Sequence, residues 1–317
     1  MRLINTTEDL KRHIVVSASF DFKKVLPYSK RAERKIVLGL IGREQYDAIV
    51  VHPFVPDNDE PINLVKELFE EAVSNYSLIL ALPTIDLLIT NSGTVNVENT
   101  ETSKADWRDK RDLKRSLLKT YTEALDDAFL IMESNADDFA EWKDSNFYTV
   151  FTNSIVRHTE TFDKNFSIQK NRATFLALKP YMEEVEEQYL ISMLGDCTLD
   201  FLKKESTNLI VIRAQNLAQK AVVALTVAKV ADTGTFAFTE TSMTVVFDEL
   251  PWERVKLELD ADKLENLKSA RQKAGEEYLK KLKKLIKENQ QIFDCYVDKE
   301  EVGIGSKLIL KKSGLTL

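Results

Sequence analysis

A stretch near the N-terminus, FKKVLPYSKRAERKIVLGLIGREQYDAI from Phe22 to Ile49, returns 153 residues later as FLALKPYMEEVEEQYLISMLGDCTLDFL from Phe175 to Leu202, without a gap. Identical pairs are Phe22/Phe175, Pro27/Pro180, Tyr28/Tyr181, Glu33/Glu186, Gly42/Gly195 and Asp47/Asp200. Apolar positions coincide as well: Ala32, Ile36, Val37, Leu40 and Ile41 face Val185, Tyr189, Leu190, Met193 and Leu194. Shared identities with a shared periodicity mark an internal repeat, so whatever one half folds into the other must fold into too.

The match continues at other offsets, as happens when insertions fall in loops and leave packed elements alone. Asn63-Leu64 matches Asn208-Leu209, Thr94-Val95 matches Thr244-Val245, Trp107 matches Trp252, and Leu117 and Ala124 match Leu267 and Ala274. Element order is therefore the same in a first module, residues 1–157, and a second, residues 158–317.

Each module reads as mainly α with a small β-hairpin, an α+β pattern. Pro27 to Gly42 predicts a helix, with Pro in its first turn, apolar residues three and four apart, and Gly as its stop; Gly195 ends the second copy likewise. A short helix follows, then a long one from about Pro61 to Leu82 with Leu64, Val65, Leu68, Phe69, Ala72, Val73, Tyr76 and Leu80 on one face. Its partner runs from about Asn208 to Val230. Hairpins are expected near 86–97, around an Asn-Ser-Gly cluster, and near 235–247. Charged helices, about Asp106 to Glu133 and Asp260 to Asn289, close the modules. The bridge from Ser134 to Arg157 lacks Gly and Pro and reads as a packed connection. Ile292 to Leu310 resembles a further small hairpin.

At 317 residues and 44% apolar composition, two modules can each bury a core. No apolar run approaches the roughly 20 residues of a membrane span, and the N-terminus is charged where a secretory signal is apolar. Cys197 and Cys295 stand far apart without a CxxC or Cys/His cluster, which points to neither a disulfide framework nor a zinc site and fits a reducing compartment. The first module holds 20 Lys+Arg against 26 Asp+Glu and the second 24 against 25. Neither half is basic, which argues against sequence-independent nucleic-acid binding.

Recognisable chemistry is missing. His13, His52 and His158 lie on different elements with no second ligand at metal spacing, and read as structural or surface residues. No phosphate-cradling glycine loop, nucleophile elbow or zinc-protease motif occurs. The carboxylate pairs Asp126-Asp127, Asp137-Asp138 and Glu276-Glu277 lie in polar runs and read as solvated faces. Asp57-Asn58-Asp59-Glu60 precedes Pro61 as a helix cap would. The reading is of no catalytic residues, no cofactor and no metal.

Two features point outward. From Glu276 to Asn289, EEYLKKLKKLIKEN is a basic amphipathic helix with Leu279, Leu282, Leu285 and Ile286 on one side; its first-copy counterpart is acidic, so the packing is shared and the charge is not. An isolated two-stranded hairpin is marginal in water, so each needs a surface, its own module or a neighbouring subunit. The candidate interface residues are Leu88, Ile89 and Val95 in the first hairpin and Phe236, Phe238, Val245 and Val246 in the second.

On Pro27 to Gly42, the long helix before LLITNSGTV, and KADWRDKRDLKRSLLKTYTEALDDAFLIM after it, the chain resembles an uncharacterised, duplicated helical family encoded in phages and prophages of the Bacteroides group. More distantly it is similar to the head-tail connector (adaptor) proteins of tailed phages, whose subunits form rings under the portal. That resemblance implies a non-enzymatic virion subunit that self-associates and meets portal or tail proteins. It would occupy the host cytoplasm during assembly and then the virion, with no membrane and no specific nucleic-acid partner. The alternative is a soluble cytosolic interaction or regulatory protein that binds a partner through the basic helix.

Overall fold

The two copies of the repeated stretch fold alike, down to an irregularity that apolar spacing does not reveal. In the computed structural model, which describes residues 2–53, 59–85, 87–90, 93–96, 106–239, 242–245 and 259–297, helix α1 (Thr7–His13) is closed at its start by a reciprocal cap between Thr6 and Asp9. Helix α2 (Leu26–Ala32) has Pro27 in its first turn, as expected. It does not continue as a regular helix to Gly42: residues Glu33–Leu38 form a widened, π-type turn before a last turn over Gly39–Ile41. The second copy widens at the equivalent place, Glu186–Ile191, after α9 (Arg172–Val185). Hydrogen bonds to the fifth or the fourth preceding residue differ by one residue per turn, too little for a six-residue window of apolar spacing to separate. Both helices end at a glycine with positive φ, +81° at Gly42 and +77° at Gly195, where a side chain would be strained.

Short helices follow, α3 (Arg43–Val51) and, in the second copy, α10 (Asp196–Leu202). Next come the long helices α4 (Pro61–Ile85) and α11 (Leu209–Val230), the latter capped by the Asn208 side chain. After each hairpin a second long helix runs back: α5 (Trp107–Ser134) against α4, and α12 (Ala261–Glu288) against α11. In the first module aromatic rings fill the seam, with Phe69 6.0 Å from Phe129 and Tyr76 4.8 Å from Tyr121. In the second, Ala214, Ala218 and Ala221 are fully buried and Gly275 lets Leu225 approach so closely that a Cβ there would lie 2.5 Å from its Cγ. One module packs by interlocking rings, the other by close approach of small residues.

The bridge is packed, as its composition implies. It carries a short 3-10 turn, Ala136–Asp138, and helices α6 (Ala140–Lys143) and α7 (Asn146–Thr152). Phe139 and Trp142 are fully buried, and the Trp142 amide donates to Gln45 Oε1 at 3.1 Å. Large apolar side chains buried to this degree stabilise by about 1.5–3 kcal/mol each. Helix α8 (Thr159–Asp163) then opens the second module, standing before α9 as α1 stands before α2.

The described residues hold two small antiparallel sheets. Strands β1 (Leu87–Thr90) and β2 (Gly93–Asn96) pair with Leu88 opposite Val95 and Ile89 opposite Thr94. Strands β3 (Phe236–Phe238) and β4 (Met243–Val245) pair with Phe236 opposite Val245. The mainly α reading holds, with the hairpins a minor component.

One expectation is overturned. Cys197 on α10 and Cys295, just beyond α12, form a disulfide, with Cα atoms 5.8 Å apart in the range such bridges span. They are 98 residues apart in sequence, and only the return of α12 along α11 brings them together. Beside the bridge Phe293 is buried and stacks edge-on to Phe201 at 5.8 Å. The expected hairpin from Ile292 to Leu310 is described only through Val297, where Ile292 to Val297 form turns; the remainder lies outside the described residues.

Candidate functional site

The most polar buried region joins the modules. Arg172, the first residue of α9, has no exposed surface and bonds Asp126 at 2.8 Å and Glu133 at 2.6 Å, both on α5 of the first module. Its guanidinium also lies over the rings of Phe129, at 5.0 Å, and Phe175, at 5.7 Å. Glu133 has a second partner, His158 Nδ1 at 2.7 Å. Burial works against the charged form of both carboxylates. At Asp126 burial wins over Arg172 and its pKa is raised; at Glu133, Arg172 and His158 together win and it is lowered. The reading of Asp126-Asp127 as a solvated pair is therefore corrected for Asp126, which is 2% exposed; Asp127, one residue on, does face solvent.

Beside this cluster the chain segment entering the second module is clamped by buried side chains. Glu186 accepts from Ser154 Oγ at 2.8 Å and from the Ile155 amide at 2.7 Å, with Lys203 at 3.2 Å. Lys179 donates to the Val156 carbonyl at 2.9 Å, and burial pushes its ammonium down to about 7. Its counterpart in the first module explains a repeated identity: Glu33 accepts the amides of Leu3, at 3.0 Å, and Ile4, at 3.3 Å, and the hydroxyl of Tyr46 at 3.2 Å. Burial raises the Glu33 pKa against those bonds and raises that of Tyr46. Glu33 and Glu186 recur because each ties down the segment that leads into its module.

The candidate interface residues fall into two groups. Leu88, Ile89 and Val95 lie on β1 and β2; β1 emerges from the end of α4, and the side chains are outside the described set. Phe236 and Phe238 are each 4% exposed within the core of their own module. Their hairpin is stitched at both edges: the Met243 amide donates to the Ser167 carbonyl at 3.1 Å and the Leu259 amide to the Phe238 carbonyl at 2.9 Å. Val245 pairs in register with Phe236, and Val246 lies outside the described residues. Asp57 and Asn58 of the acidic cluster also lie outside; Glu60 stands just before α4, its carbonyl accepting the first helical bonds, from Asn63 at 2.9 Å and Leu64 at 3.1 Å. On α12, Leu279, Leu282 and Ile286 are buried and the lysines turn outward, as the repeat implies.

His13 lies 3.6 Å from Glu70, and His52 3.9 Å from Glu60, each with a carboxylate partner on α4 or at its start. An open groove of ≈ 620 Å³ lies between the α8–α9 loop, the second hairpin and the start of α12, lined by Asp163, Lys164, Lys263 and Arg271. Asp163 Oδ1 is engaged by the amides of Ile168 and Lys170, and Arg271 lies over Phe166 at 4.8 Å, so both serve the loop. Among the described residues no group of three His, Cys, Asp or Glu is placed to hold a metal ion, and no helix is long and apolar enough to cross a membrane.

The fold thus defines a tandem-repeat helical protein: two copies of a long-helix pair with its hairpin, locked together by a buried ionic junction. The chain belongs to the Family of unknown function (DUF6712), whose model matches residues 39–152 and, a second time, residues 176–304. No curated protein and no solved structure matches the chain.

Proposed function

We propose that this chain is a non-enzymatic structural subunit that assembles with copies of itself, a head-tail connector or neck-ring protein of a tailed phage. What carries the reading is the rigid tandem: one module occurs twice, and Arg172 with Asp126 and Glu133 fixes the copies through a buried contact. A subunit of a ring must offer two different, mutually complementary surfaces at a fixed angle. A duplicated module whose copies have diverged on the outside supplies such surfaces without an active site. The first hairpin adds an edge to which a neighbouring strand can pair. On this reading the protein acts in the host cytoplasm during assembly and then in the virion, with portal or tail proteins as partners and no membrane, cofactor or specific nucleic acid. Native mass measurement and negative-stain imaging test it: discrete ring-sized species are expected, alone or on addition of portal protein. A strict monomer that binds neither portal nor tail proteins overturns it.

A further inference from the structure

The two helix pairs share an arrangement but carry opposite charge on their halves remote from the hairpins, at positions that do not match residue for residue. In the first module Glu67 and Glu71 on α4 and Glu123 and Asp127 on α5 gather on the half of the pair remote from the hairpin, and Glu67, Glu123 and Asp127 are exposed. They are close enough to act on one another: Glu71 is held above its ordinary pKa by its partial burial and by the other three carboxylates, against the opposing effect of His13. In the second module the remote half of the α11/α12 pair is lysine-rich. Lys220 of α11 and Lys281 of α12 flank the Tyr278 ring at 5.9 Å and 5.7 Å, and Lys280 and Lys284 stand exposed beside them. Among the described residues Glu123 pairs locally with Lys119 at 3.8 Å, and Lys284 with Glu288 at 3.7 Å.

From this complementarity we infer that copies of the chain dock head to tail, the acidic half of the α4/α5 pair of one copy against the lysine-rich half of the α11/α12 pair of the next. A two-fold axis through either patch would set acid on acid or lysine on lysine. Where the acidic patch of a copy meets one neighbour and its lysine-rich patch another, each contact is heterologous and closes into a ring or runs into a filament. Charges of this kind select partner and register and speed encounter, and salt screens them over about 8–10 Å. The inference rests on the self-assembly reading above and names its surfaces.

Two full-length variants test it, one with Glu67→Lys, Glu123→Lys and Asp127→Lys, the other with Lys280→Glu, Lys281→Glu and Lys284→Glu. All six positions are exposed, and unchanged circular dichroism and Tm establish that both fold. The first variant carries two basic faces, the second two acidic faces. Mass photometry is expected to show wild-type assembly weakening from about 50 mM to about 500 mM salt. Each variant alone should associate at least about tenfold more weakly than wild type. An equimolar mixture should regain assembly, because in an alternating row every contact again joins opposite charges. Variants that assemble alone like wild type, or a mixture that does not recover, overturn the docking surfaces while leaving self-assembly standing. A wild-type chain that stays monomeric at every salt and concentration overturns both.

Discussion

Replacing Arg172 with methionine keeps much of the side-chain volume and removes the charge between the modules. The guanidinium is wholly buried and bonds two carboxylates that are each 3% exposed. Removing one partner of a buried ion pair costs about 3–5 kcal/mol, because the charge left behind has neither water nor counter-ion. Here the residue left worst off is Asp126, since Glu133 keeps His158 at 2.7 Å. The lower half of that range, about 3–4 kcal/mol, is therefore expected, or a fall in Tm of about 6–16 °C for a module of this size. Without Arg172 the Asp126 carboxyl, already raised by burial, loses the charge that opposes that rise, so its destabilisation is present at neutral pH and relieved as pH falls through its raised value. Urea unfolding of Arg172→Met and wild type at pH 7 and pH 5 measures this, with the gap narrower at pH 5. Adding Asp126→Asn and Glu133→Gln should restore part of the loss, since the remaining groups are neutral. A loss under about 1 kcal/mol at pH 7, or a gap that widens in acid, refutes the assignment of Arg172 as the lock between modules.

At Gly275 an added methyl meets the Leu225 Cγ at 2.5 Å, so Gly275→Ala should destabilise by about 1–3 kcal/mol despite the better helix propensity of alanine, and Leu225→Ala should suppress that loss in a thermal melt. Lys179 has a folded pKa of about 7 against an unfolded value of 10.5, so the folded state binds fewer protons between them and stability gains from this residue as pH rises. The stability difference between wild type and Lys179→Met should therefore grow in favour of wild type by about 1.4 kcal/mol per pH unit above pH 7, and a flat difference between pH 7 and pH 9 counts against it. Closing a loop of 98 residues, the Cys197–Cys295 bridge should stabilise the second module by about 4–5 kcal/mol, so dithiothreitol or Cys197→Ser should lower its melting temperature; two free thiols in the untreated protein would contradict the bridge.

Much of the framework was legible because it is written twice. Helix order, the Pro27 start, the Gly42 and Gly195 stops and the long-helix spans followed from comparing one half with the other, whereas Pro180 is no start and lies inside α9, which begins at Arg172. Glu33 and Glu186 were visible as a repeated identity in an amphipathic stretch, but not as buried anchors, because a carboxylate at helix spacing looks the same whether it meets water or a backbone amide. The junction was hidden for the opposite reason. At the offset that aligns the modules, Arg172 falls opposite Ser19, so no repetition flags it. A charged residue at the start of a core helix without a first-copy equivalent was the signal available. The disulfide was hidden by its separation in sequence, and the site of hairpin docking by dependence on partners far along the chain.

The stitching of the second hairpin shows where the copies part company. Its β4 edge is occupied by the Ser167 carbonyl, in the loop between α8 and α9. At the same offset the first module places Ile14 and Val15 in that position, between α1 and α2, and Val15 is 102% exposed. The second module uses the site internally, through the bond from Met243 to Ser167, and in the first Val15 is exposed. Divergence of this kind, with anchors kept and outer residues changed, gives a duplicated chain two unlike ends. Unlike ends are what a head-to-tail assembly requires, and two identical modules would not have them.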